Sequence, residues 1–152
     1  MEDKRSLQYN IYKGISGKQG AVQFSLLPAY KSKKKDEGAV FIEAAPTIGP
    51  NEYDWRNKII FALSINDIGK VLVTLQGGAG CEIYHDPDTG TEKKNTRAKR
   101  LIIEPGSPGT FKLALSQQLS EEKRYVQLYI DAGEAQILTA LLTRAIERIL
   151  GW

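Results

Sequence analysis

The sequence predicts an α+β fold, and three observations carry that prediction. Eight short segments read as strands, most of them alternating apolar and polar residues with the period of a half-buried strand and others, such as Ala39–Ile42, as short apolar runs. Two others switch to the helical period, each opened by a capping box: Ser64 with Asp67, and Asp131 with Glu134. Gly and Pro clusters separate the segments, most clearly at Pro46–Pro50 and Pro105–Gly109. Runs of strands closed by a helix belong to α+β architecture rather than to alternating α/β units.

The first strand places Leu7, Tyr9 and Ile11 on one face and Gln8, Asn10 and Tyr12 on the other. It runs into Lys13–Gly20, a basic loop with three glycines that reads equally as a phosphate-touching loop or a hairpin turn. Ala21–Leu27 is the second strand, ended by Pro28. Lys31, Lys33, Lys34 and Lys35 form a solvated loop tip. Gly38–Ala45 is the third strand, and Pro46, Gly49 and Pro50 place a loop after it.

The stretch from Tyr53 to Leu63 organises the chain. It begins as a polar corner and becomes the fourth strand, with Asn57, Ile59, Phe61 and Leu63 on one face and Arg56, Lys58, Ile60 and Ala62 on the other. The Ser64 capping box opens a helix to about Leu75, with Ile65, Ile68, Leu72 and Leu75 as its apolar stripe. Cys81–Pro87 is the next strand and its exit, and strands follow ending at Leu101–Glu104, at Thr110–Ser116 and at Lys123–Ile130, the last with Tyr125, Gln127 and Tyr129 on one face. The Asp131 box opens a final helix whose apolar face is wide. That width fits a partner subunit and a buried core helix equally well.

The chain has 152 residues, enough for one domain with a sizeable core, and 1–152 is read as a single domain. A net charge of +3 leans mildly towards acidic partners. A single cysteine, Cys81, points to a reducing compartment. No apolar run has the length of a membrane span. The acidic and basic start, Met1-Glu2-Asp3-Lys4-Arg5, is unlike a signal or transit peptide. The expected location is the cytoplasm, or an organelle for a trimmed mature form.

Enzyme chemistry finds little to work with. His85 is the only histidine, and Asp86-Pro87-Asp88 beside it reads as turn chemistry. Alternation places Cys81 and His85 on one strand face and Glu82 on the other, short of the three or four convergent ligands zinc needs. No nucleophile elbow, Walker loop or dinucleotide fingerprint occurs. No metal, cofactor, membrane or small-molecule substrate is expected.

Unpaired polynucleotides are held by cations along the backbone and by rings on which bases stack. Tyr9, Tyr12, Tyr53, Trp55, Tyr84, Tyr125 and Tyr129 lie on or beside strands, and Lys13, Lys18, Arg56, Lys58, Lys99, Arg100 and Lys112 are interleaved with them. No long basic helix is present for a major groove.

The chain resembles the Whirly single-stranded-DNA-binding proteins. The resemblance is carried by Tyr9-Asn10-Ile11-Tyr12-Lys13-Gly14, Tyr53-Asp54-Trp55 with Lys58, Phe61-Ala62-Leu63-Ser64 leading to Ile68-Gly69, Cys81–Pro87, Glu104-Pro105 and Ile149-Leu150-Gly151-Trp152. It covers nearly the whole chain in order. Of the family signature Lys-Gly-Lys-Ala-Ala-Leu only Lys13-Gly14 is kept. The resemblance implies two antiparallel four-stranded sheets packed crosswise, with two helices, and a homotetramer built on the C-terminal helices.

The expected function is therefore single-stranded DNA binding with little sequence preference. Bases would stack on Tyr12, Tyr53 and Trp55; Lys13, Lys18, Arg56, Lys58, Lys99 and Lys112 would meet phosphates; Gln23 or Asn10 would bond base edges. Leu138, Leu141, Leu142, Ile146 and Ile149 would join subunits. RNA binding and annealing, as in the related trypanosome guide-RNA-binding proteins, is the nearer alternative. A protein-interaction scaffold is the more distant one.

Overall fold

The computed structural model describes residues 7–14, 19–28, 38–87 and 97–152. Lys18, the lysines at 31 and 33–35, and the turn at 88–90 lie outside the described residues.

Two antiparallel sheets each lead into a helix. The first holds β1 (Gln8–Tyr12), β2 (Gly20–Leu27) and β3 (Ala39–Gly49), with β4 (Glu52–Tyr53) and β5 (Ile59–Leu63) both paired to β3. The helix α1 (Ile65–Leu75) follows. The second sheet runs in order β6 (Cys81–His85), β7 (Lys99–Pro105), β8 (Phe111–Leu119) and β9 (Glu122–Ile130), then α2 (Ala132–Leu150). The strand β9 touches β2, β3 and β5, as a strand laid across the other sheet must.

The alternation read from the sequence puts one face of each strand in the core. Ile59, Phe61 and Leu63 are fully buried while Ile60 is exposed, so β5 presents one apolar face. One continuous core takes Ile11, Val22 and Ile42 from the first sheet, Leu101, Leu113 and Leu128 from the second, and Ile68 and Leu138 from the helices. Burying side chains of this size gives about 1.5–3 kcal/mol each, the main force holding the sheets together.

Both capping boxes form. The Ser64 hydroxyl accepts from Asp67 N and the Asp67 carboxylate accepts from Ser64 N; Asp131 and Glu134 do the same. The helix α2 ends at Gly151 in the left-handed conformation, φ 75°, which a glycine adopts without strain.

Three expectations need correction. The loop placed after Ala45 is strand: β3 continues through Pro46 to Gly49. Pro46 sits opposite Gly20, the first residue of β2, so its missing N–H falls at the end of that ladder. A two-residue strand, Glu52-Tyr53, then pairs back on β3, which makes nine strands among the described residues. Second, Trp55–Asn57 is a single 3-10 turn, not the start of a strand. Asn57 Nδ2 donates to Asp54 Oδ2 at 2.7 Å, turn chemistry that the strand pattern overlooked. Asn57 therefore does not share a strand face with Ile59, nor Arg56 with Lys58.

Third, the wide face of α2 divides in two. Leu138, Leu142 and Ile149 are already covered by the chain's own core, with Ala135 and Ala145, and offer no exposed surface to a subunit. Leu141 and Ile137 stand exposed beside that stripe, and Ile146 is half-buried. Leu141, Arg144 and Arg148 line one wall of a groove of about 460 Å³ against β1 and β2.

Candidate nucleic-acid interface

The outer face of the first sheet carries the features expected of a track for a single strand. Its strand register sets the rows. Tyr12 faces Ala21, which faces Ala45; one pleat repeat away, Asn10 faces Gln23, Glu43 and then Ile60. Small residues beside Tyr12 leave its ring standing clear, 57% exposed. The Tyr53 ring lies 5.6 Å from it, tilted 44°, and Trp55 lies 6.5 Å from Tyr53, tilted 56°. The three rings singled out from the sequence are thus brought together as one aromatic ledge.

Backbone placement explains the ledge. Tyr53 pairs with Thr47 at the end of the long β3, and the 3-10 turn swings Trp55 beside it. Arg124 of the second sheet bonds Asn57 Oδ1 at 3.3 Å and so ties this turn to β9. The carboxamide of Gln19 also reaches β9, accepting from Tyr129 N at 2.9 Å.

Most of the expected phosphate-binding cations already have partners. Lys13 Nζ lies 2.7 Å from Glu134, at the start of α2. Lys58 lies 2.8 Å from Glu43, and Lys112 lies 3.2 Å from Glu104, whose carboxylate raises the lysine's pKa. Lys99 donates to the Ile60 carbonyl at 2.6 Å, and burial holds its pKa below the ordinary lysine value. Arg56, exposed beside Trp55, has no ionic partner among the described residues. Gln23 Nε2 donates to Glu43 Oε2 at 2.9 Å. Glu43, the acid at the centre of this face, was missed from the sequence; its signal was a lone charge at an outward position of an apolar strand.

The family model described as Whirly transcription factor matches residues 11–141. This chain belongs to the Whirly family. It is 32% identical over 156 residues to the single-stranded DNA-binding protein WHY1, chloroplastic, of Zea mays, across 95% of this chain and 56% of that protein. The chain spans about half the length of the curated relatives it matches. The crystal structure of WHY3 from Arabidopsis thaliana superimposes with a TM-score of 0.83 at 25% identity, covering 99% of this chain and 92% of that one. A guide-RNA-binding protein complex bound to a gRNA shares the fold alone, with a TM-score of 0.67 at 13% identity over 95% and 92% of the two chains.

The Whirly fold gives the motif residues physical roles. Lys13 is the tie between β1 and the α2 cap, and Gly14 is the floor beneath Tyr53. The Cys81–Pro87 segment supplies β6 and brings His85 to the N-terminus of α1. There His85 Nε2 lies 3.0 Å from Asp67 Oδ2, and the imidazole stacks on Phe61 at 4.4 Å. Among the described residues no three His, Cys, Asp or Glu side chains converge on a metal position. The histidine is thus a structural pin, an arrangement the sequence could not show because Asp67 lies far from it along the chain.

The outer face of the second Whirly sheet is also aromatic. Tyr84, Tyr125 and Tyr129 are exposed, with the Arg100 guanidinium 5.3 Å from the Tyr84 ring. Tyr125 Oη donates to Gln127 at 2.6 Å, and Tyr129 lies directly across from Lys112. Among the described residues no helix is long and apolar enough to cross a membrane.

Proposed function

We propose that this Whirly chain binds single-stranded DNA on the outer face of its first sheet, without catalysis and with little sequence preference. The observation that carries this reading is the ledge of Tyr12, Tyr53 and Trp55, with Tyr12 exposed, the other two rings half-buried, and the exposed Arg56 beside them. Stacking on such rings is worth about 1–3 kcal/mol per base and needs no particular base. Open single strands present their flat faces to it; a duplex hides them. Lys13, Lys58 and Lys99 serve the strand secondarily, by exchanging internal partners for phosphates; Lys18 would add to them, and Lys112 would do so where the strand continues onto the second sheet. Names of relatives support the same reading, since the maize protein is named for single-stranded DNA binding.

The exposed stripe of α2, with Ile137 and Leu141 and the half-buried Ile146 at its edge, is the surface on which four copies would assemble. Four copies multiply the ledge and bring several segments of one strand within reach, raising avidity without new contacts.

Titration of a labelled oligonucleotide at two salt concentrations tests the binding. Affinity should fall steeply with salt, with a slope of about −0.7 per phosphate contact. A flat response, or equal affinity for duplex, overturns the reading. Competition among single-stranded DNA, RNA and duplex of equal length identifies the polymer, because only contacts to the 2′-hydroxyl separate the first two. Imaging the tagged protein decides between cytoplasm and organelle.

A further inference from the structure

We infer that Glu43 is a positioning residue that fixes the amide of Gln23 and thereby gives the track a preference for bases carrying an exocyclic amino group. This rests on the single-strand reading above. Glu43 stands outward in an otherwise apolar run, Ala39-Val40-Phe41-Ile42 before it and Ala44-Ala45 after it. Both of its oxygens are engaged: Oε2 accepts from Gln23 Nε2 at 2.9 Å, and Oε1 faces Lys58 Nζ at 2.8 Å.

A carboxylate can only accept hydrogen bonds, so the amide beside it must turn its NH2 group inward. Gln23 Oε1 is then left over as an acceptor, and no described residue donates to it. Asn10, on the far side of Gln23 in the same row, is exposed and prolongs the polar strip. This row lies one pleat repeat, about 6.6 Å, from the row of Tyr12. A base adjacent to one stacked on Tyr12 is therefore delivered to the Gln23 acceptor.

A fixed acceptor discriminates between bases. At the edge position shared by cytosine N4, adenine N6 and thymine O4 it takes a hydrogen bond from either amino group and meets the thymine oxygen with repulsion, so thymine must shift to offer N3–H instead. Glu43 has a second consequence. It partly neutralises Lys58 and so lowers the pull of the track on phosphates.

The test is an anisotropy titration at neutral pH of labelled oligo(dC) and oligo(dT) of equal length, at two salt concentrations. Wild-type protein should prefer oligo(dC) by about three- to ten-fold, the yield of one net hydrogen bond. Glu43→Gln should remove most of that preference and, by releasing Lys58, steepen the salt slope by about 0.7 for both oligomers. Gln23→Ala should remove the preference and leave the slope alone. Lys58→Met should keep the preference, since Glu43 still holds the amide. A wild-type ratio near one, a preference that survives Glu43→Gln in folded protein, or one that vanishes in Lys58→Met overturns the inference while single-strand binding stands. Failure of wild-type protein to bind either oligomer overturns both.

Discussion

Gly14 lies so close beneath Tyr53 that a Cβ at position 14 would come 2.5 Å from the tyrosine hydroxyl and 2.9 Å from the ring carbon bearing it. The glycine is therefore a packing requirement of the aromatic ledge. Gly14→Ala should force Tyr53 away from Tyr12 and Trp55. Overpacking of this kind costs about 1–3 kcal/mol of stability. A lost stacking platform costs about 1–3 kcal/mol of oligonucleotide binding. Thermal melts and titration of the same variant separate the two. Full affinity in a folded Gly14→Ala protein would show that the ledge is not where bases stack.

The cations of the interface should divide by their partners. Arg56 has none among the described residues, so Arg56→Ala should shrink the salt slope of DNA binding by about 0.7 and leave thermal stability unchanged. Lys13 is held by Glu134, which is also the N3 residue of the α2 capping box. Lys13→Met should cost about 1 kcal/mol of stability, the upper range for a surface ion pair, since both side chains here are largely covered. Chemical denaturation reads the second effect, and salt-dependent titration the first.

Asp131 links α2 to pH. Its carboxylate accepts from Glu134 N at 2.8 Å, and that backbone donor holds its pKa below the ordinary carboxylate value. A depressed folded pKa means stability that is present above the unfolded value and lost as pH falls through the folded one. Stability should therefore decline below about pH 4. Asp131→Asn keeps a capping oxygen but has no proton to gain, so part of that decline should disappear. Denaturation midpoints measured across the acid range decide it.

Much of this molecule was legible because alternation and caps are local. Ile59, Phe61 and Leu63 fell inward as their spacing required, and Ser64 and Asp131 cap the helices they were expected to open. The three rings of the ledge were singled out together from the sequence as platforms for bases, and they do lie side by side, though two of them for a reason the pattern did not give. Trp55 and Arg56 reach the site on a 3-10 turn, which the bond between Asp54 and Asn57 stabilises against a strand. What the pattern could not show was pairing between residues remote in sequence. Glu43 with Lys58, Lys13 with Glu134, and Asp67 with His85 each join different elements, and nothing in local spacing predicts them. The face of α2 failed for the same reason. An apolar stripe states how wide a buried surface is, not whether its own core or another subunit covers it.

The pin between β6 and α1 makes a sharper stability prediction than either residue alone. Asp67 accepts from Ser64 N in the capping box of α1 and also bonds His85, so Asp67→Ala should lose that return bond, worth about 0.5–1.5 kcal/mol, together with the histidine bond. His85→Ala should lose that bond and the stacking on Phe61. The double variant should cost less than the sum, since the shared bond is counted twice. A double-mutant cycle by denaturation measures the coupling, and simple additivity would show that the pair contributes nothing.

Neighbouring leucines on α2 should behave in opposite ways. Leu142 is 2% exposed and Leu141 is 48% exposed, so adjacent positions face the chain's own core and the solvent. Leu142→Ala should cost about 2–5 kcal/mol of stability, the usual penalty for a cavity at a buried leucine. Leu141→Glu should leave the melt of the isolated fold nearly unchanged. It places a charge in the stripe proposed to join four copies, where burying it unpaired is strongly unfavourable. Light scattering at micromolar concentration should then report a smaller particle for Leu141→Glu than for the parent chain. If the parent itself scatters as a monomer, or if Leu141→Glu keeps the full assembly, the exposed stripe of α2 does not hold the subunits together.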